Sequence, residues 1–210
     1  MRPGGHMPRP RIFLLSPAHC GGKRAALLTR PEAAFDLAQR LRSPHGAPLG
    51  EVFAFLSGLY FRGKIAYVER YAPSLPGLPG SLVITSSRGL LPPGRPVTPE
   101  LLREFAAVPI DLREPRYRLP LLEDVVRLAE ATPPDCDFVL LGSVASAKYV
   151  TPLTEILGRR LLFPPVFAGM GDMQRGALLL RAAAEGAELD YVPVQGATLS
   201  RAALRGGGRR

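Results

Sequence analysis

The chain has 210 residues, a length that suits one domain with ragged ends, and its 46% apolar share is ample for a packed core, which excludes disorder throughout. No apolar run reaches the ~18–20 residues needed to cross a bilayer, and residues 1–10 hold no apolar segment of signal-peptide length, so a cytoplasmic protein with no membrane partner is expected. The formal charge is +9, which invites a nucleic-acid reading.

Residues 1–10, rich in Pro, Gly and Arg, read as a flexible basic segment. Residues 11–16 (RIFLLS) are a continuous apolar run, the mark of a strand buried on both faces. After the loop 17–23 (PAHCGGK), helices are expected at 23–29 and 31–43. In the second of these Ala34, Leu37, Ala38 and Leu41 share a face. Residues 44–48 break the chain. Residues 49–56 and 60–71 repeat apolar positions at spacings of three and four, on either side of Ser57-Gly58, and read as helices.

Residues 81–86 (SLVITS) form the second expected strand, punctuated by Gly77, Gly80 and Gly89. Residues 90–97 read as a proline-rich loop. Thr98-Pro99-Glu100 is a helix start, with Thr98 as cap and Pro99 in the first helical position, and that helix reaches about residue 107. A long irregular connection, 108–119, precedes a helix from Pro120 to about residue 131. The third strand is 137–141 (DFVLL). A helix over 148–157 follows, with Pro152 in its first turn, and then a fourth strand over 160–163. Asp172 is placed to cap a helix running to about residue 185, and 191–194 reads as a last short strand.

Residues 199–210 form a second basic tail. Arg2, Arg9, Arg201, Arg205, Arg209 and Arg210 lie in two acid-free ends; 27 basic residues less these six leaves 21 against 18 acidic, about +3 for the rest. The high charge therefore belongs mainly to the tails, which are either solvated ends or a source of non-specific attraction to nucleic acid.

The alternation of strands and helices predicts a single α/β domain over residues 11–198. The expected form is a three-layer sandwich, with a mainly parallel four- to five-stranded sheet and helices on both faces. In such sheets ligands bind beyond the carboxyl ends of the strands. The segments that follow the strands carry Ser16, His19, Cys20, Lys23 and Arg24; then Ser86, Ser87 and Arg88; then Ser143, Lys148 and Tyr149; then Gly171, Asp172 and Arg175. Hydroxyls, cations and backbone N–H groups at helix N-termini suit a phosphate. Arg24, Arg88, Lys148 and Arg175 are the expected phosphate holders, and Ser86 and Ser143 the hydroxyl donors. Arg62 and Lys64 are two apart on one helix, so one turns to the site and the other to water; Arg62 is placed with the site.

Cys20, between His19 and a basic Gly-Gly turn, is a candidate nucleophile or redox thiol with His19 beside it. The plainer reading is a small buried residue in a tight turn. Asp172 as a helix cap and Glu51 as a solvated carboxylate are likewise plain readings. Cys20 and Cys136 are the only cysteines and the three histidines are scattered, so no disulfide framework, metal site or cofactor is expected.

Three segments, 57–67 (SGLYFRGKIAY), 82–91 (LVITSSRGLL) and 139–153 (VLLGSVASAKYVTPL), resemble bacterial domains of unknown function related to YaaA. Those domains have a Leu-Tyr…Phe-Arg-like segment, a strand ending in Leu-Ser-Ala-Lys-His-Gly-Leu-Leu, and a Tyr-x-x-Pro-Leu helix. The resemblance spans about residues 11–180 and implies an α/β fold like that of uracil-DNA glycosylases, with kinship to domains found beside tRNA-guanine transglycosylases. Ser86-Ser87-Arg88-Gly89 stands where Ser-Ala-Lys-His-Gly is usual, so the histidine is missing, and no water-activating Asp follows the first strand. The resemblance thus implies a nucleotide or nucleic-acid context without glycosylase activity. The leading expectation is a protein that binds a phosphate-containing ligand, a nucleotide or nucleic acid, and that is open to processing it. Two alternatives remain: a non-catalytic interaction protein contacting nucleic acid through its basic tails, and a thiol enzyme using Cys20.

Overall fold

The continuous apolar runs become the centre of the sheet. In the computed structural model, which describes residues 9–73, 76–145 and 147–195, the first strand is β1 (Arg11–Leu15), and its last four residues are fully buried. The basic tails expected at 1–10 and 199–210 lie outside the described residues, apart from Arg9 and Pro10.

Helices α1 (Lys23–Thr29) and α2 (Asp36–Arg42) follow β1. A two-residue strand, β2 (Ala47–Pro48), leads into α3 (Leu49–Ser57) and α4 (Leu59–Tyr71). Then come β3 (Ser81–Ile84), β4 (Leu90–Leu91) and β5 (Pro96–Val97), with α5 (Pro99–Ala107) and α6 (Pro115–Ala131) after them. The chain ends in β6 (Asp137–Leu141), α7 (Ala147–Leu157), β7 (Leu161–Phe163), α8 (Asp172–Glu185) and β8 (Val192–Pro193). None of the described helices is long and apolar enough to cross a membrane.

Among the described residues the main sheet has six strands, in the order β4-β3-β1-β6-β7-β8. The inner four are parallel and the two edges antiparallel; β2 and β5 pair separately. The strand beyond the expected four to five is β4. Gly89, at φ +56, takes the backbone into the left-handed region and turns the chain back on β3. Thr85 N–H donates to the Gly89 carbonyl at 2.9 Å, and the Asp124 carboxylate accepts from Leu90 N–H at 2.8 Å. The Ser-Ser-Arg-Gly stretch is therefore the turn of a hairpin.

Alternate strand residues enter two separate cores. Phe13, Leu15, Val83, Val139 and Leu141 pack with α1 to α5 and α8. Ile12, Leu14, Ile84, Phe138 and Leu140 pack with α6 and α7. This double burial is why the strands show no polar alternation.

Helix boundaries differ from expectation where proline or capping decides them. α2 starts at Asp36, and Ala34 stays exposed ahead of it. α6 starts at Pro115 rather than Pro120, because the Glu114 side chain caps it by accepting from Arg116 N–H at 3.1 Å. Pro120 then sits in the second turn, where it forfeits one bond to the Arg116 carbonyl. Thr98 caps α5 as expected, accepting from Leu101 N–H at 3.4 Å. Asp172 is not a cap: Gly171 holds that position and Asp172 is the first helical residue.

α4 and α8 approach closely through two glycines. A Cβ on Gly63 would stand 2.6 Å from the Gly176 carbonyl oxygen, and one on Gly176 would stand 2.7 Å from the Leu59 carbonyl. Only glycine admits this contact, and it brings the first turns of both helices together.

Candidate functional site

After β1 the chain crosses to β3 on one side; after β6 it crosses to β7 on the other. The carboxyl ends of β1 and β6 thus flank a topological switch point, where open α/β sheets place their ligands. Ser16 sits there, fixed by two bonds to the Leu141 carbonyl, one from its N–H and one from its hydroxyl, each 3.3 Å. A Cβ on Gly142 would come within 2.9 Å of Ser16 Cβ, so the two strand ends are in contact.

A cavity of about 680 Å³ opens beside this crevice. Residues 17–21 form one wall, with Ser86 and Phe53 close by. The end of α5 and the chain just beyond it, from Phe105 to Ile110, form another. Lys148 and Tyr149, in the first turn of α7, complete the lining. The cavity therefore gathers His19, Cys20, Ser86, Lys148 and Tyr149 from the expected set. The Ser86 hydroxyl is committed to the Phe105 carbonyl at 2.8 Å. Lys148 is exposed and makes no ion pair with a described residue. No cluster of metal-ligating side chains occurs among the described residues.

The other expected phosphate holders do not converge on this cavity, because each has met a nearer acceptor. Arg88 forks onto Glu104, at 2.7 Å from Nε and 2.6 Å from Nη2, and Ser87 donates to the same carboxylate at 2.6 Å. This pair lines a separate groove with Arg95, Thr98 and Glu100. Arg24 donates to the Phe55 carbonyl at 3.2 Å and lies against Gly58. Lys23 is exposed at the start of α1, a helix of seven residues with no side-chain cap. Ser143 accepts from Ala145 N–H at 3.4 Å within its own turn. Gly171 N–H donates to Gln174 Oε1 at 3.0 Å. Glu51 pairs with Arg40 rather than standing alone in water.

Cys20 is not activated. It is buried, its Sγ lies 3.6 Å from the Ala18 carbonyl, and burial pushes the thiol up to about 12, the reverse of what a nucleophile needs. The His19 imidazole is exposed, with its ring beside Gly21 and Gly22.

Of the pair on α4, the residue that turns inward is Lys64, and Arg62 faces solvent. Lys64 is 1% exposed. Its Nζ donates to the Ser16 carbonyl at 2.8 Å, lies 2.7 Å from Ser16 Oγ, and stands 4.0 Å above the Tyr60 ring. No described carboxylate comes within ion-pair reach of it. Burial pushes its amine down to about 7; Asp172 opposes the shift and Arg175 adds to it.

Arg175, 9% exposed, donates from Nε and Nη2 to the Phe167 carbonyl at 3.3 and 3.2 Å, and meets Asp172 at 3.3 Å. Its charge lies beside the Tyr60 hydroxyl and favours ionisation there, while burial works the other way and dominates. That hydroxyl is buried and donates to no acceptor among the described residues; the Arg175 guanidinium beside it is itself a donor. The sequence does hold a signal for this cluster. Tyr60, Phe61, Lys64, Tyr67 and Val68 repeat at spacings of three and four, so Lys64 interrupts an apolar helix face.

No protein-family model, curated protein or solved structure matches the chain.

Proposed function

We propose that the chain binds a phosphate-containing ligand, a nucleotide or a stretch of nucleic acid, in the cavity beside the β1–β6 crevice. One observation carries this reading: the cavity opens beside the switch point of the sheet and presents an exposed Lys148, in no salt bridge with a described residue, next to Tyr149. Asp111 acts on this ammonium only beyond salt-bridge distance and is itself forked by Arg113, so the charge is left to attract an anion at a partly apolar mouth. The half-buried Tyr149 offers an aromatic ring to a base, and the cavity is large enough for a nucleoside monophosphate. Kinship with the YaaA-related domains and a three-layer arrangement of the glycosylase-like kind belong to the same proposal. The phosphate contacts are reassigned from the arginines to Lys148.

A thermal-shift panel of nucleoside monophosphates, diphosphates and a short single-stranded oligonucleotide tests the reading. At least one member should raise Tm, and Lys148→Glu should abolish the rise while Arg88→Ala leaves it intact. No shift with any member, or a full shift in Lys148→Glu, removes the assignment.

A further inference from the structure

Ser16 occupies the switch point itself, and Lys64 reaches it from α4, 48 residues away in the chain. A buried ammonium with no carboxylate beside it is strongly disfavoured. The groups facing Lys64 are few. Ser16, just past the end of β1, bonds it, Tyr60 and Phe61 of its own helix lie under it, and Asp172 and Arg175 of α8 act at longer range, already paired with each other. A neutral amine has two N–H bonds and one lone pair. One N–H satisfies the Ser16 carbonyl, and the lone pair of the neutral amine is open to the Ser16 hydroxyl at 2.7 Å once its proton turns from the more distant Leu141 carbonyl at 3.3 Å. A hydroxyl held against a neutral amine is a nucleophile with its base in place.

A second observation is independent of the first. The Tyr60 hydroxyl, on a residue 5% exposed, donates to nothing and lies beside the Arg175 guanidinium. A buried donor without a partner needs a reason, and an unused donor next to a cation suits an oxyanion.

We propose that Ser16 and Lys64 form a nucleophile–base pair that hydrolyses a phosphate ester, with the Tyr60 hydroxyl, beside the Arg175 charge, donating to a phosphoryl oxygen. The proposal rests on the phosphate-ligand reading above and adds a reaction at Ser16, the residue that precedes Pro17 of the cavity wall and does not itself line the cavity. Ser16 Oγ bonds to phosphorus as the ester P–O bond breaks. The hydroxyl proton passes to Lys64 Nζ and from there to the leaving oxygen, which departs as an alcohol. Water then gives a proton to the same amine and attacks the phosphoserine, releasing phosphate and restoring Ser16 and Lys64. The balance is ester plus water to alcohol plus phosphate.

A fluorophosphonate probe tests the pair without knowledge of the substrate, because Ser16 Oγ attacks its phosphorus, fluoride leaves and the proton goes to Lys64. Intact mass and peptide mapping should find one adduct, on Ser16, that Ser16→Ala lacks. Lys64→Met should label about 100-fold more slowly or less, the scale of a lost general base, and the wild-type rate should rise with pH through about 7. No adduct on Ser16 between pH 6 and 9, or an unchanged rate in Lys64→Met, overturns the pair. If Lys64→Met lacks a cooperative melt, the wild-type profile decides: a rise through neutrality supports the base, and a flat profile overturns it. A nucleotide thermal shift without labelling rejects the reaction alone, whereas labelling without any shift rejects the nucleotide ligand alone.

Discussion

Lys64 makes the stability of this protein depend on pH in a way that one substitution removes. Its amine titrates at the ordinary 10.5 when unfolded and is pushed down to about 7 by burial. Between those values the unfolded chain holds a proton that the folded chain has released. Stability rises with pH wherever the unfolded state binds more protons, so it rises across this window. Above 10.5 both states are neutral and the penalty is gone; below about 7 both carry the proton and the penalty is complete. The displacement from 10.5 to about 7 corresponds to about 5 kcal/mol as an upper bound. Water entry and relaxation around a charged Lys64 reduce it, and a change of about 3 kcal/mol is expected.

Lys64→Met keeps the length of the side chain and removes the proton. It also removes the donor to the Ser16 carbonyl, at a roughly constant cost of about 1 kcal/mol. Urea unfolding of both proteins from pH 6.5 to 10.5 isolates the effect, since every other titrating group is common to the two and cancels. The wild type should gain on the variant by about 3 kcal/mol across the series. Parallel stability curves would mean that Lys64 keeps an ordinary pKa in the folded state, and would refute the reasoning.

The α4–α8 contact and the cysteines give two more expectations. Gly176→Ala puts a Cβ 2.7 Å from the Leu59 carbonyl; overpacking of ~1–3 kcal/mol outweighs the ~1 kcal/mol of helix propensity gained. A Tm lowered by several degrees is expected, and an unchanged Tm would show that the helices do not approach through these glycines. Burial pushes Cys20 up to about 12 and Cys136 up to about 11 from 9.0, so at pH 7.5 Cys20 should react with a disulfide reagent roughly 1,000-fold, and Cys136 roughly 100-fold, more slowly than in the unfolded chain. Rapid labelling of Cys20 in the native protein would restore it as a nucleophile.

Much of the fold is legible from short stretches of sequence. The strands at 11–15, 81–84 and 137–141 read correctly because burial on both faces leaves an uninterrupted apolar run. α5 announces itself through Thr98 and Pro99, and α8 is placed to within a residue at each end although its cap is Gly171 rather than Asp172. β4 is hidden because Leu90-Leu91 lies between a turn glycine and prolines, and its pairing with β3 is completed by Asp124, 34 residues on. The start of α6 is hidden because Pro120 resembles a helix beginning, while the real cap is Glu114.

The site is legible only as a place. Chain order and strand-end loops locate the carboxyl edge of the sheet and name Ser16, Ser86, Lys148 and Tyr149 near it. They do not assign partners, because a charged side chain pairs with whatever acceptor the fold brings nearest. Arg88 is taken by Glu104 and Arg175 by the Phe167 carbonyl, so the four cations never gather. Spacing on α4 puts Arg62 and Lys64 on different faces, with Lys64 on the apolar one, but only the tertiary structure brings its amine to Ser16. Periodicity, turn chemistry and capping act within a few residues, and the sequence by itself determined what depends on them: the central strands, most helices and the α/β class. The Ser16–Lys64 contact and the glycine contact between α4 and α8 join segments far apart in the chain, so tertiary structure alone decided them.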